Sequence, residues 1–220
     1  EGAIDAERFI VFLKDLTNHV PLDPKAKRDH FEKQQREVFD AFGAAAGSTF
    51  VCRPLDFVET LVPNRYLQVF EWHEGQDLKV ALDKGSLSRE RKRFLANMIA
   101  DGLAAMHERG FALIDMKPDN VFVKRIKNQK GEEIDIASII DITSAWKPGY
   151  KPKGVARGHY PVALCYTEGW VSPEIVLASR ALESGKATGP EDLGDRFPGT
   201  ASDVFITGLI FYQLLAERFP

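Results

Sequence analysis

The chain has 220 residues, 44% of them apolar and 28% charged, with a formal net charge of -3. That balance fits a globular protein long enough to bury a core in one or two domains, and gives no reason to expect a nucleic-acid binder. Two cysteines without CxxC spacing, Cys52 and Cys165, fit a reducing compartment and no structural zinc.

In chain order, Glu1 to Glu7 is polar and acidic, so no signal peptide is expected and the chain is placed in the cytoplasm. Phe9–Leu13 is a continuous β-prone run that reads as a buried strand ended by Lys14. Asp23-Pro24 opens a helix over about Lys25–Phe42, with Phe31, Val38, Phe39 and Phe42 as its sparse apolar face. Thr49–Phe57 and Tyr66–Phe70 read as strands joined by a turn at Val62-Pro63-Asn64. Residues 71–77 are polar and aperiodic, and composition shifts there from strand-rich to helix-rich. The chain therefore divides into a first unit over 1–71 and a second over 72–220. Ligands favour such junctions.

Ser88 caps a predicted helix to Glu108, whose apolar residues Phe94, Leu95, Met98, Ile99, Leu103 and Met106 recur at helical spacing. His107 is expected to pack at its end, before the Arg109-Gly110 stop. Val121–Val123 and Ile134–Ile140 read as strands flanking a basic turn, and Asp141 closes the second. Residues 142–171 are irregular and too long for a mere connector. Ser172-Pro173-Glu174 starts a short helix, 183–200 reads as an exposed insertion, and Ser202-Asp203 caps a helix over Val204–Ala216. That helix is apolar nearly all round and so is expected at the centre of its unit, but it is too short and interrupted to span a bilayer.

The chemistry concentrates in Asp115-Met-Lys117-Pro-Asp-Asn120, between a helix and a strand. Phosphoryl transfer needs such a set: a carboxylate to orient a hydroxyl, an ammonium on the moving phosphate, and an amide oxygen on Mg²⁺. Asn120 before one strand and Asp141 after the next can bring an amide and a carboxylate to one Mg²⁺. The bland reading is a solvated turn closed by Pro118 and Asp119.

Taken in order, Val-Phe-Leu-Lys14, the polar linker, Asp115-x-Lys117-x-x-Asn120, Asp141, Ser-Pro-Glu174 and Ser-Asp203-Val-x-x-x-Gly208 resemble the eukaryotic-type protein kinases over nearly the whole chain. The resemblance implies an α+β, two-lobed fold, with a small β-rich lobe over 1–71 and a mainly helical lobe over 72–220. It implies Asp115 as the base or hydroxyl-orienting acid, Lys117 on the γ-phosphate, and Asn120 and Asp141 as Mg²⁺ ligands. Lys14 would grip the α- and β-phosphates of ATP with a carboxylate partner from the first helix. Glu37 is the choice for that partner, although the apolar phase points nearer Gln35 and Glu32 is also within range. Backbone groups near Glu71 and His73 would read the adenine, with Phe70 as gatekeeper, Phe122 beneath the ring and Asp77 near the ribose. Asp203 would receive backbone amides of the catalytic loop. Tyr166-Thr167-Glu168-Gly169-Trp170-Val171-Ser172-Pro173-Glu174 is similar to the matching stretch of serine/threonine kinases, with Thr167 beside the catalytic Asp and Lys. The implied substrate is a protein Ser/Thr hydroxyl. The alternatives are a pseudokinase serving as a nucleotide-binding or scaffolding module and, further off, a small-molecule phosphotransferase.

The sequence also departs from the pattern. Leu113-Ile114 stands where the family has His-Arg, so the arginine that senses a phosphate on the activation segment is missing. Activity independent of phosphorylation there is expected. Thr143 replaces the glycine of Asp-Phe-Gly and should restrict the backbone beside Asp141. No glycine-rich phosphate loop precedes Lys14, and further segments are expected beyond both ends.

Overall fold

The computed structural model describes residues 11–15, 25–45, 50–62, 65–71, 75–85, 87–141, 144–145, 147, 166–187, 190–193 and 198–216, with only the backbone for 11–15 and the first turns of the first helix. His73, Ile142, Thr143, Cys165 and most of the stretch 142–165 lie outside the described residues.

Strand β1 (Val11–Asp15), helix α1 (Lys25–Ala45), β2 (Pro54–Glu59) and β3 (Tyr66–Glu71) form the first unit. Its antiparallel sheet has the order β1-β3-β2. Helix α1 covers the sheet because Gln35, Val38, Phe39 and Phe42 recur at three- and four-residue intervals and are buried. Phe39 meets Phe57 edge-on at 6.1 Å and Phe70 at 5.8 Å, and Phe42 meets Phe70 at 6.2 Å. These are favourable aromatic separations, and truncating the shared ring in Phe70→Ala should cost about 3–5 kcal/mol.

The second unit carries β4 (Gln76–Asp77), α2 (Leu78–Asp83), α3 (Arg89–His107), β5 (Val121–Lys127), β6 (Glu133–Ile139), α4 (Pro173–Glu183), α5 (Pro190–Leu193) and α6 (Thr200–Ala216). Ser88 caps α3 by accepting the Arg91 amide at 3.3 Å. The buried face of α3, with Leu95, Met98, Ile99, Leu103 and Met106, packs on β6 and α6. Sheet β4-β5-β6 is antiparallel, with Asp77 opposite Phe122 and Val121 opposite Ile139.

Four sequence expectations shift. The predicted strand Thr49–Phe57 is split: Pro54 onward forms β2, while Val51 bridges in parallel to Ile139 of the other sheet. Cys52 N donates to Ile139 O at 2.9 Å and Ile139 N donates to Phe50 O at 3.0 Å. This stitching brings Phe50 so near α3 that a Cβ on Gly102 would lie 2.7 Å from its carbonyl oxygen, so only glycine fits there. The stretch 183–200 is not wholly exposed, since Ala187 and Leu193 are buried with Ala178. Helix α6 starts at Thr200, which puts Asp203 inside its first turn instead of at its cap. Nor is α6 buried all round: Val204, Phe205, Tyr212 and Leu215 are exposed. No described helix is long and apolar enough to cross a membrane.

Candidate active site

The loop from Phe111 to Asn120 leaves the end of α3 and enters β5. At its turn Ile114 has φ 67°, a left-handed value that costs an L-residue roughly 1–2 kcal/mol and is rare for a β-branched one. Asp115 N donates to Leu113 O at 2.8 Å across it, closing a three-residue γ-turn of the strained kind. Such strain persists only where the surroundings over-determine it. Here they do. The side chains of Leu113 and Ile114 are buried in the core, and the Asp203 carboxylate, fully buried on α6, takes both of their amides. Leu113 N donates to Oδ2 at 2.7 Å and Ile114 N to Oδ1 at 2.8 Å. His107 Nε2 lies 2.9 Å from the same Oδ2. The buried carboxylate thus holds three partners, as a charge removed from water requires.

Beyond that turn, Asp115, Lys117 and Thr167 close a triangle. Lys117 Nζ donates to Asp115 Oδ2 at 3.1 Å and to Thr167 Oγ1 at 2.7 Å, while the Thr167 hydroxyl donates to Asp115 Oδ1 at 2.8 Å. Thr167 is set by a bridge to Trp170, whose amide donates to the Thr167 carbonyl at 2.9 Å. Both Asp115 oxygens are therefore oriented by cationic or hydroxyl donors.

Pro118–Asn120 forms a 3₁₀ turn, with Asn120 N donating to Lys117 O at 3.0 Å. The buried Asn120 amide donates through Nδ2 to Asp115 O at 2.7 Å, which leaves its Oδ1 as the oxygen for a cation. Ile140 N donates to Asn120 O at 3.1 Å, which ties the residue before Asp141 to Asn120. An amide oxygen and a carboxylate from adjoining backbone fit a hard divalent ion that keeps waters and substrate phosphates in its shell, as Mg²⁺ does. Among the described residues no group of three or more His, Cys, Asp or Glu could hold a metal alone.

The remaining candidates lie where the two sheets adjoin. Asp77 and Phe122 are cross-strand partners, and Asp77 Oδ1 also caps α2 by accepting Val80 N at 2.7 Å. Phe70 is buried under α1. Glu71 N donates to Arg53 O at 2.9 Å, and its carbonyl receives the Cys52 thiol at 3.6 Å. Burial first, then the Glu71 charge, pushes that thiol up to about 11. Burial draws the Lys124 ammonium of β5 below its usual range, against the pull of Glu71.

Lys14 stands opposite Gln68 in the β1–β3 register. On α1, Gln35 is the buried residue that reaches the sheet, accepting Gln68 Nε2 at 3.2 Å. Glu37, two residues on, lies about 200° further round the helix and is half-buried. Glu32 is engaged by Arg36 Nε at 2.9 Å and the Tyr66 hydroxyl at 3.1 Å.

One residue gains a place that the sequence did not give it, and one takes a place that the sequence had left among alternatives. His107 joins the carboxylate that holds the loop, and Gln35 faces the sheet near Lys14. The apolar phase of α1 was the available signal for Gln35. For His107, a bond to a residue 96 positions away leaves no local signal.

Residues 22–220 match the protein kinase domain family. The chain is 28% identical over 170 residues to "Serine/threonine-protein kinase pkn2" of Myxococcus xanthus, covering 77% of this chain and 17% of that protein. It is 25% identical over 171 residues to "Maternal embryonic leucine zipper kinase" of Xenopus tropicalis, covering 77% and 22%. With "Serine/threonine-protein kinase/endoribonuclease ire-1" of Caenorhabditis elegans it shares 28% identity over 127 residues, 57% of this chain and 11% of that protein. The chain thus spans about a fifth or less of the length of these curated relatives.

Proposed function

The chain belongs to the protein kinase family, and we propose that it transfers the γ-phosphate of ATP to Ser/Thr hydroxyls of protein substrates. The observation that carries this reading is the closed triangle of Asp115, Lys117 and Thr167. A hydroxyl donor and an ammonium hold the carboxylate in one orientation, where an incoming alcohol can meet it.

In the proposed reaction the substrate hydroxyl oxygen forms a bond to the γ-phosphorus as the bond to the β,γ-bridging oxygen breaks. The hydroxyl proton passes to Asp115 and ADP leaves. Lys117 offers its ammonium to the moving phosphoryl group, and Thr167 keeps both side chains aligned. Asn120 Oδ1 and Asp141 would hold Mg²⁺, which when bound supplies charge neutralisation at the phosphates. Lys14 would grip the α- and β-phosphates. Phe122 and its cross-strand partner Asp77 would lie under the adenine and beside the ribose, with the Glu71 backbone at the base edge and Phe70 closing the back. The stretch around His73 would contribute the second backbone contact. Positioning and electrostatics supply nearly all of the catalysis for such a transfer. Because Ile114 is buried in place of a cation, activity would not require a phosphate on the activation segment.

Transfer of radiolabelled phosphate from ATP, measured for wild type beside Asp115→Asn, tests the reading. Signal lost in the variant supports it, and equal signal from both removes Asp115 from the mechanism. A Mg²⁺-dependent thermal shift with ATP that disappears in Asp141→Ala supports the metal assignment. The second reading is a pseudokinase, favoured by Gln35 occupying the sheet-facing position on α1 where a carboxylate was expected. ATP binding without any transfer would select it.

A further inference from the structure

We propose that Arg125, together with Arg91, forms a docking site for a carboxylate side chain of an acidic peptide. It lies on the face of the second sheet opposite the one that carries Phe122. The register places it there. Asp77 and Phe122 are one cross-strand pair of β4 and β5, and Gln76 and Val123 are the next, so the two pairs point to opposite faces. Arg125, two residues beyond Val123 on β5, shares the second face with its β6 partner Asp135. A cavity of about 380 Å³ opens on that face, against the start of α3, and its lining includes Gln76, Leu87, Arg91, Val123, Arg125 and Asp135. The volume is in the range of ligand pockets.

The cavity is built around one buried carboxylate. Asp135 is 6% exposed and takes both arginines, Arg91 through Nε and Nη2 at its Oδ2 and Arg125 through Nε at its Oδ1, the latter at 3.1 Å. Two guanidiniums from different elements are thereby held before any ligand arrives, which lowers the ordering cost of binding. The outer edge of Arg125 is held more loosely. Its Nη1 meets Glu133 at 3.5 Å in a pair more than half exposed on both sides, and its Nη2 has no partner among the described residues. Exposed pairs of this kind are weak, so an incoming carboxylate can take the edge from Glu133 and bond both nitrogens of the fork. Lys84 adds a third cation at the rim, where its Nζ donates to Gln76 Oε1 at 2.6 Å. Three cations against Asp135 and Glu133 leave an attraction for one further negative charge. A phosphate dianion is less suited, because the same two carboxylates repel its second charge. Buried Leu87 and Val123 supply an apolar wall for the stem of the docked side chain.

Fluorescence anisotropy of a labelled, capped Leu-Glu-Leu-Glu-Leu peptide with the full chain tests the proposal, and none of the readouts depends on phosphate transfer. Arg125→Glu should weaken binding at least about tenfold. Glu133→Gln should tighten it about two- to fivefold, because the competing carboxylate is gone, and a gain of that kind does not arise from misfolding. A peptide with Gln in place of Glu should not bind, and added salt should weaken the Glu peptide. Saturating MgATP should leave the peptide bound, since the cavity faces away from Phe122. No binding to wild type, equal binding of the Gln peptide, unchanged binding in Arg125→Glu or weaker binding in Glu133→Gln overturns the proposal. Displacement by MgATP also overturns it, by putting the peptide in the nucleotide cleft. A phosphoserine peptide that binds more than about tenfold tighter than the Glu peptide overturns the assignment of a carboxylate as the ligand.

Discussion

Asp203 and Gln68 are both wholly buried polar residues, one under the loop from Phe111 to Asn120 and one under α1, yet their surroundings differ. Asp203 holds three partners: two backbone amides and an imidazole. Gln68 has one, and its carbonyl oxygen has none among the described residues. The difference follows from charge. An ionised carboxylate cannot be buried unless it is fully satisfied, while a neutral amide tolerates one open position at a modest cost. The loop is accordingly over-determined, enough to hold Ile114 at a left-handed φ. The contact of α1 with the sheet rests on aromatic packing and on polar bonds that are neutral or partly exposed, Gln68 to Gln35, Tyr66 to Glu32 and Arg36 to the Phe57 carbonyl, so it is the more adjustable of the two.

The sharpest way to break this contrast is Asp203→Ala. It should abolish phosphate transfer and destabilise the chain by about 3–5 kcal/mol, read by denaturant titration, because two buried amides and His107 lose their acceptor. An active, near-normal variant would mean that the loop holds its own shape. Next comes Asp115→Asn, with an expected fall of about 10²–10⁴ in the transfer rate and a stability within roughly 1 kcal/mol of wild type. A large melting shift there would show the triangle to be structural instead.

The border between the two regions is probed by Cys52. Its pKa is raised above the unfolded value, so the native state holds the proton longer. The resulting stabilisation, roughly 2–3 kcal/mol, is complete below about pH 8.5 and is lost as the pH rises through about 11. Stability measured from pH 8 to 11 should therefore fall, and less steeply in Cys52→Ala. Peptide mapping after alkylation at pH 8 should find Cys52 modified at least about 100-fold more slowly in the native chain than in denaturant. The smallest expected effect is none at all: phosphatase treatment should leave transfer unchanged, and a loss would show that some other cation replaces the missing arginine.

Much of the fold was legible because its signals are local. The Ser88 cap, the helical spacing from Leu95 to Met106 and the β-branched runs of β5 and β6 each specify their own element. The split of Thr49–Phe57 between two sheets was not legible. Phe50 and Pro54 both suit an extended chain, and only Gly102 and Ile139 decide that the first half joins α3 and β6. Asp203 lay in a helix-start pattern, so its sequence neighbours suggested a cap. Only the resemblance assigned it the amides of the loop, and it does accept those of Leu113 and Ile114, about 90 positions away. The limit was partial on α1, where Glu32, Gln35 and Glu37 share one helix: the apolar phase pointed to Gln35, and Gln35 is the one that bonds Gln68 of β3.

By itself, then, the sequence determined the element types, their order, and the spacing of Asp115, Lys117, Asn120 and Asp141, because propensity, capping and short-range spacing act within a few residues. Tertiary structure decided how those side chains are held. It closed Asp115 and Lys117 onto Thr167 and clamped the strained turn at Ile114 with Asp203 and His107. These are contacts between distant segments, whose free energy depends on burial and on which partner arrives there, and no local pattern encodes either.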